Sequence, residues 1–305
     1  MTPPDDFDPP IGTPVTLSDG LRRIVAGNPS PMTYRGTNTY LLGEGDIAVI
    51  DPGPALEAHM EAILGALGPS ERITHIFVTH SHVDHSPLAA PLSEVTGAPV
   101  LAFGDSRAGR SAVMERLAGS GLTGGGEGVD AGFAPDITLA HGQSTAGESW
   151  ELTALHTPGH FGNHLSFQWG DALFCGDLVM GWASTLISPP DGDLAQFRAS
   201  CTRLKAAAPG RLLPGHGAPV TDPAGRIDAL LAHRDAREAA ILAALGAGPA
   251  DAATLARRIY TDTPAALMPA AARNVLAHLV DLAESGRATP LGPLSRATRF
   301  ALAEP

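Results

Sequence analysis

Apolar residues in the first two-thirds of the chain come in short runs separated by turn formers. Residues 21–25, 39–42 and 47–50 are such runs, each bounded by Gly, Asp or Pro, and they predict strands. Residues 55–67 place apolar side chains at helical spacing and stop at Gly68-Pro69, which predicts a helix. Residues 73–78 return to strand composition. The alternation then predicts a helix over 87–96, a strand over 100–103, a Gly-rich insertion at 119–128, and strands near 150–155, 165–169 and 172–175. A helix over 193–208 closes at Pro209-Gly210 and is followed by a short buried strand at 211–214, while residues 1–15 read as an irregular arm. Strands and helices mixed in this way predict an α/β fold of layered sheets with helices outside.

Beyond residue 222 the pattern becomes helical, over 224–246, 251–260 and 264–286, and residues 288–303 suit a two-stranded ribbon around Gly292-Pro293. Three helices closed by a ribbon outline a winged-helix module. The chain therefore divides into a layered domain, residues 1–221, and a small helical one, residues 222–305. A length of 305 residues has room for both.

Composition narrows the function. Hydrophobic residues at 44% supply a sizeable core, built mainly from Ala, Leu, Val and Ile because aromatics reach only 5%. The formal net charge of -12 gives no bulk attraction for nucleic acid, and Lys205 is the sole lysine. The deficit of positive charge lies in residues 1–221, with 23 Asp/Glu against 11 Lys/Arg; residues 222–305 balance at 9 and 9. No secretory leader or membrane span is visible, and Cys175 and Cys201 do not make a disulfide framework, so a cytoplasmic protein is expected.

The strongest chemical signal is Thr79-His80-Ser81-His82-Val83-Asp84-His85, at the carboxyl end of a predicted strand. Residues two apart on extended chain face the same way, so His80 and His82 can grip one cation. Where the chain turns, Asp84 and His85 can face a second; imidazole and carboxylate are ligands that zinc accepts. Three further candidates leave other strands: His160 after Pro158-Gly159, Asp177 after Phe174-Cys175-Gly176, and His216 after Pro214-Gly215. Together they can complete two sites. His164 follows His160 by four residues and is expected to lie exposed beside the metals, either donating to a substrate oxyanion or bonded within a strand. Asp51, in Ile50-Asp51-Pro52-Gly53, is either an orienter of ligands or a turn carboxylate. His59, His75, His141, His156, His233 and His278 have no ligand-like company and are read as structural or surface residues. Arg257, Arg258 and Arg273 either line a phosphate-contacting face of the helical domain or lie on a solvated one.

The pattern His-x-His-x-Asp-His followed by His160, Asp177 and His216 resembles the metallo-β-lactamase superfamily of dinuclear hydrolases, over residues 20–220. That resemblance implies an αββα sandwich with the metals at one sheet edge. It implies one ion on His80, His82 and His160, the other on Asp84, His85 and His216, with Asp177 bridging them. Asn28-Pro29-Ser30-Pro31, Gly36-Thr37-Asn38-Thr39-Tyr40 and residues 232–238 further resemble the lactamase-β-like endoribonuclease subfamily, whose extension is a winged-helix-like domain. The expected activity is hydrolysis through a hydroxide shared by two zinc ions (or manganese or iron), with Asp177 and Asp84 holding ions and nucleophile. The expected substrate is a small organic ester, thioester or lactone; the alternatives are single-stranded RNA cleavage and a non-catalytic nucleic-acid-binding protein.

Overall fold

A computed structural model describes residues 7–124 and 128–303. The beginning of the expected N-terminal arm and the centre of the Gly-rich stretch lie outside the described residues.

The chain opens with a meander of β1 (Val15–Ser18), β2 (Leu21–Val25), β3 (Asn38–Leu42) and β4 (Asp46–Ile50), then α1 (Glu57–Gly65) and β5 (Arg72–Phe77). It continues through α2 (Ala89–Thr96), β6 (Val100–Ala102), α3 (Ala112–Gly119) and β7 (Ile137–Thr138). Strands β1 to β7 form one sheet in sequence order, antiparallel as far as β4 and parallel from there. The second sheet holds β8 (Ser144–Ala146), β9 (Glu151–His156), β10 (Leu165–Trp169), β11 (Ala172–Gly176) and, after α4 (Leu194–Ala207), β12 (Arg211–Pro214). Its order is β12-β11-β10-β9-β8.

The two-residue period of the strands assigns each side chain to a layer. Leu42, Ala48, Ile50 and Phe77 face the second sheet, where Leu152, Ala154, Phe167 and Phe174 meet them in one core. Their neighbours Leu41, Val49, Ile76 and Val78 point outward onto Ile63 of α1 and Leu92 of α2. Beyond the second sheet, Leu173, Cys175 and Leu212 pack against Phe197, Cys201 and Leu204 of α4. Helix, sheet, sheet, helix is the observed layering, as the αββα expectation required. The two cysteines are free and buried in this outer layer.

The C-terminal helices are α5 (Pro223–Gly246), α6 (Ala252–Ile259) and α7 (Met268–Glu284), closed by the ribbon β13 (Ala288–Pro290) and β14 (Phe300–Leu302). Asp222 caps α5 by accepting from the N–H of Gly225, and Pro223 occupies the first turn where its missing N–H costs nothing. The 24 residues of α5 join two cores. Ile227 and Leu230 pack on the second sheet's helical layer, whereas Ile241 and Leu245 pack with α6, α7 and Phe300.

Three local expectations change. A helix, α3, precedes the Gly-rich stretch; Ser111 caps it, and Val113, Met114 and Leu117 pack into the C-terminal core. The helix expected over 264–286 begins as a 3-10 turn, Ala265–Leu267, because Pro264 and Pro269 interrupt the α pattern, and becomes α7 at Met268. Within the arm read as irregular, Ile11 already bridges to Val25 and β1 begins at Val15. Among the described residues no helix is long and apolar enough to cross a membrane.

Candidate metal centre

Strands β4 and β5 run parallel, as do β11 and β12, and β9 shares their direction through the antiparallel β10. Residues just past the carboxyl ends of these strands therefore gather on one edge of the sandwich. Asp51 follows β4, His80 follows β5, His160 follows β9, Asp177 follows β11 and His216 follows β12. The two sheets are stitched there by the N–H of Asn38, which donates to the Gly215 carbonyl at 2.7 Å.

Two sets of buried donor atoms that share no residue result, and a third, His80, His85 and Asp177, links them. His80, His82 and His160 form one, and Asp84, His85 and His216 the other; within each set the ligand atoms lie within 4.8 Å of one another. In the first, His82 Nδ1 stands 2.9 Å from His80 Nε2 and 3.0 Å from His160 Nε2. In the second, Asp84 Oδ2 stands 3.1 Å from His216 Nε2 and 3.4 Å from His85 Nε2. Asp177 lies between them, with Oδ2 3.7 Å from His160 Nε2 and 3.3 Å from His216 Nε2, and Oδ1 3.5 Å from His85 Nε2. All seven residues expected as ligands are thus brought together.

The outer nitrogens of the rings show how they are aimed. His85 Nδ1 is 2.9 Å from the Asp51 carboxylate, His160 Nδ1 is 2.7 Å from the Leu186 carbonyl, and His216 Nδ1 is 3.2 Å from the Gly36 carbonyl. These oxygens only accept, so each Nδ1 carries the hydrogen and each Nε2 turns inward. Asp51 is itself fixed by the N–H and hydroxyl of Thr79, at 2.7 and 2.8 Å, and sits at a φ of 52° that Asp tolerates better than most residues. Of its two readings from sequence, the ligand orienter matches this geometry. The turn glycines serve close approach: a Cβ on Gly215 would stand 2.5 Å from Asp177 Oδ1 and 2.6 Å from His85 Cε1.

The residues fit a bound cation. His85 Nε2 and Asp177 Oδ1 are buried without a hydrogen-bond partner among the described residues, a costly state that an ion between them would relieve. The two sets also differ electrically. Burial, reinforced by His85, His82 and His160, holds His80 well below the ordinary imidazole range, and burial takes His82 down to about 3. Those rings are neutral lone-pair donors. Burial opposes charge on His85 and His216 too, but Asp84 and Asp177 outweigh it; His85 rises well above its ordinary value and His216 to about 10. A cation entering the second set would displace their protons.

His164 is placed differently from expectation. It is fully buried, at 0% exposure, with its ring 5.3 Å from that of His80 and Nδ1 2.9 Å from Thr157 Oγ1. Gly176 leaves room for its Nε2, since a Cβ there would come within 2.6 Å. The β9–β10 turn folds it beneath the candidate ligands and away from the cavity mouth, so the exposed position expected for it is not the one observed.

A cavity of about 810 Å³ opens onto His82, Asp84, His160, Asp177 and His216. Its walls include Tyr34 and Trp182, stacked at 5.0 Å, and His233, Arg237, Tyr260 and Asn274 from the C-terminal helices. His233, read from sequence as structural or surface, is a wall residue, and burial with Arg234 and Arg237 nearby lowers it to about 4. Arg237 lies 4.5 Å over the ring of Tyr260. Arg257 and Arg258 are exposed on α6, and Arg273 donates to the Thr123 carbonyl and the Ser188 hydroxyl. His233 and Arg237 fall within residues 232–238, singled out by the subfamily resemblance, but only their place on a helix facing the sheet edge shows them as wall residues.

Residues 32–216 match the model of the metallo-beta-lactamase superfamily, and residues 252–292 match that of the beta-lactamase associated winged helix domain. A beta-lactamase-like protein 2 homolog of Drosophila melanogaster is 32% identical over 286 residues, covering 89% of this chain and 90% of that protein. An atrochrysone carboxyl ACP thioesterase of Aspergillus fumigatus is 28% identical over 75% of this chain and 65% of its own length. Among solved structures, a beta-lactamase domain protein from Burkholderia ambifaria superposes with a TM-score of 0.79 at 25% identity, covering 98% of this chain and 96% of that one. A metallo-beta-lactamase family protein from Thermus thermophilus does so at 0.75 and 26%, covering 94% and 100%. With the ligand pattern, the layered fold and these matches in agreement, the chain belongs to the metallo-beta-lactamase superfamily of hydrolases.

Proposed function

We propose that the protein is a dinuclear zinc hydrolase of small organic esters, thioesters or lactones. The observation that carries this reading is the convergence of seven buried candidate ligands, five of which line one cavity whose volume suits a small organic molecule. His80, His82 and His160 would hold one ion, Asp84, His85 and His216 the other, and Asp177 would touch both. When bound, the ions would supply a water acidic enough to attack at neutral pH and a Lewis acid for the substrate oxygen.

The chain's own residues do the rest. Asp51 and the carbonyls of Leu186 and Gly36 keep three imidazoles aimed inward. Asp177 holds its charge between the two sets, because His216 and His85 outweigh its burial and keep it well below the usual carboxylate range. Tyr34, Trp182, Met180 and Leu186 offer an apolar wall to an acyl or aromatic group. His164 supports the His80 ring from beneath and does not touch substrate. The name of the fungal relative, atrochrysone carboxyl ACP thioesterase, supports the same class.

The resemblance of residues 28–31, 36–40 and 232–238 to the lactamase-β-like endoribonuclease subfamily keeps the RNA reading as the alternative outcome of the test. Zinc-loaded protein is incubated with a panel of esters, thioesters and lactones and with labelled single-stranded RNA. Turnover of an ester, thioester or lactone without RNA cleavage supports the proposal; metal-dependent RNA cleavage with no small-molecule turnover overturns it.

A further inference from the structure

Arg234 stands on α5 at 1% exposure, and no carboxylate pairs with it among the described residues. A buried guanidinium without a counter-charge is expensive, and burial lowers its affinity for the proton to a pKa of about 10. Its hydrogen bonds indicate what offsets that cost. Nη2 donates to the carbonyl of Thr185, and Nη1 donates at 3.1 Å to Asn274 Oδ1 on α7. The same Asn274 oxygen accepts the N–H of Ile187 at 3.0 Å. The Phe197 ring lies 5.2 Å beneath the guanidinium carbon.

Two residues of the C-terminal helices therefore fix the carbonyl of 185 and the N–H of 187, the groups on either side of Leu186. The Thr185 hydroxyl adds a third tie, donating at 2.8 Å to the carbonyl of Leu178, next to Asp177. The Leu186 carbonyl between these tied groups takes the Nδ1 hydrogen of His160 at 2.7 Å.

We propose that Arg234 and Asn274 are positioning residues for His160: they clamp the 185–187 segment so that the Leu186 carbonyl holds His160 with Nδ1 protonated and Nε2 turned to the cation site. The C-terminal helices thereby act on metal binding without contributing a ligand. This rests on the reading of His160 as a ligand. A carbonyl partner that fixes the tautomer and direction of a ligating ring is the kind of support whose loss weakens metal affinity about 10- to 100-fold.

The test compares the full chain with Arg234→Met, Arg234→Lys and Asn274→Ser, and with Leu230→Ala as a packing control in the same layer. Zinc affinities come from chelator competition, folding from circular dichroism and thermal unfolding, and the His160 tautomer from ring-nitrogen NMR of metal-free protein. The expected result is about a tenfold or greater loss of affinity at one ion in Arg234→Met and Asn274→Ser, with the other ion within about twofold. The Nδ1–H signature of His160 should be lost with it, whereas Leu230→Ala lowers the unfolding temperature and leaves both affinities alone. Arg234→Lys keeps the charge without the fork and should show the same loss, so an unfolded Arg234→Met leaves the test standing on the other two variants. Folded variants with both affinities and the His160 signature unchanged overturn the proposal, as does an affinity loss in Leu230→Ala of the same size. A wild type that binds no zinc refutes the metal-site reading instead, and the NMR comparison then judges the clamp alone.

Discussion

The Thr79–His85 segment and the C-terminal helices face the same cavity and are built on opposite terms. The segment places four of the seven candidate ligands within six positions of one strand end, where spacing decides much of which way each points. The helices offer no ligand; His233, Arg237, Tyr260 and Asn274 come from three different stretches and meet only because α5 spans two cores. Coordination chemistry demands particular residue types close together. A wall or a clamp demands only shape and a hydrogen bond in the right place, which many sequences satisfy.

The comparison breaks most sharply at Asp177. Replacing it by Ala leaves His85 and His216 without the carboxylate between them and should abolish both metal retention and hydrolysis, while the circular dichroism stays that of the wild type. Loss of turnover with two ions still bound would show that Asp177 is not shared between the sets. A step down in size is Asp51→Asn, which removes the acceptor charge behind His85 and should cost about 10- to 100-fold in metal affinity or activity, concentrated in the second set. Chelator competition on the variant checks which ion is loosened.

On the helical side the sharper probe is acid. His278 on α7 is buried with neither ring nitrogen bonded among the described residues, and burial, with Arg234 and Arg198 nearby, lowers it to about 3. The unfolded chain protonates this ring near pH 6.5 and the folded one does not. Stability should therefore fall as pH drops below about 6.5 and go on falling toward pH 3, by up to about 1.4 kcal/mol per pH unit for one proton. In His278→Leu that contribution disappears, so denaturant unfolding from pH 6.5 to 4.5 should show a shallower slope than the wild type. Equal slopes would mean that His278 is protonated in the folded state.

The smallest effect expected is at Arg257 and Arg258, which are exposed on α6 and do not line the cavity. Replacing both by Ala should leave turnover of a small ester within about twofold. If they touched RNA phosphates, each lost contact would flatten the log-affinity against log-salt slope by about 0.7.

These two regions also mark what can be read from sequence. The strands at 165–169 and 211–214 and the ligand set are legible because short apolar runs, turn glycines and His/Asp spacing are local properties. Helix α3 is not, because it is only eight residues long and runs straight into the Gly-rich stretch, and its apolar face is explained by a core supplied from the far end of the chain. A polar ring soon after a ligand suggests an open site, yet His164 lies beneath His80 in space that depends on Gly176, on another strand. Arg234 falls within residues 232–238, which the subfamily resemblance singles out without giving the arginine a role. Nothing near it in sequence announces the carbonyl of Thr185 that it meets.

A pair of cation sites that share Asp177 has a stoichiometry that can be counted. Elemental analysis of protein purified with zinc supplementation tests it most directly. About two divalent ions per chain are expected in the wild type, with a near-complete loss in Asp177→Ala. A wild-type content near zero, with the protein folded, would contradict it.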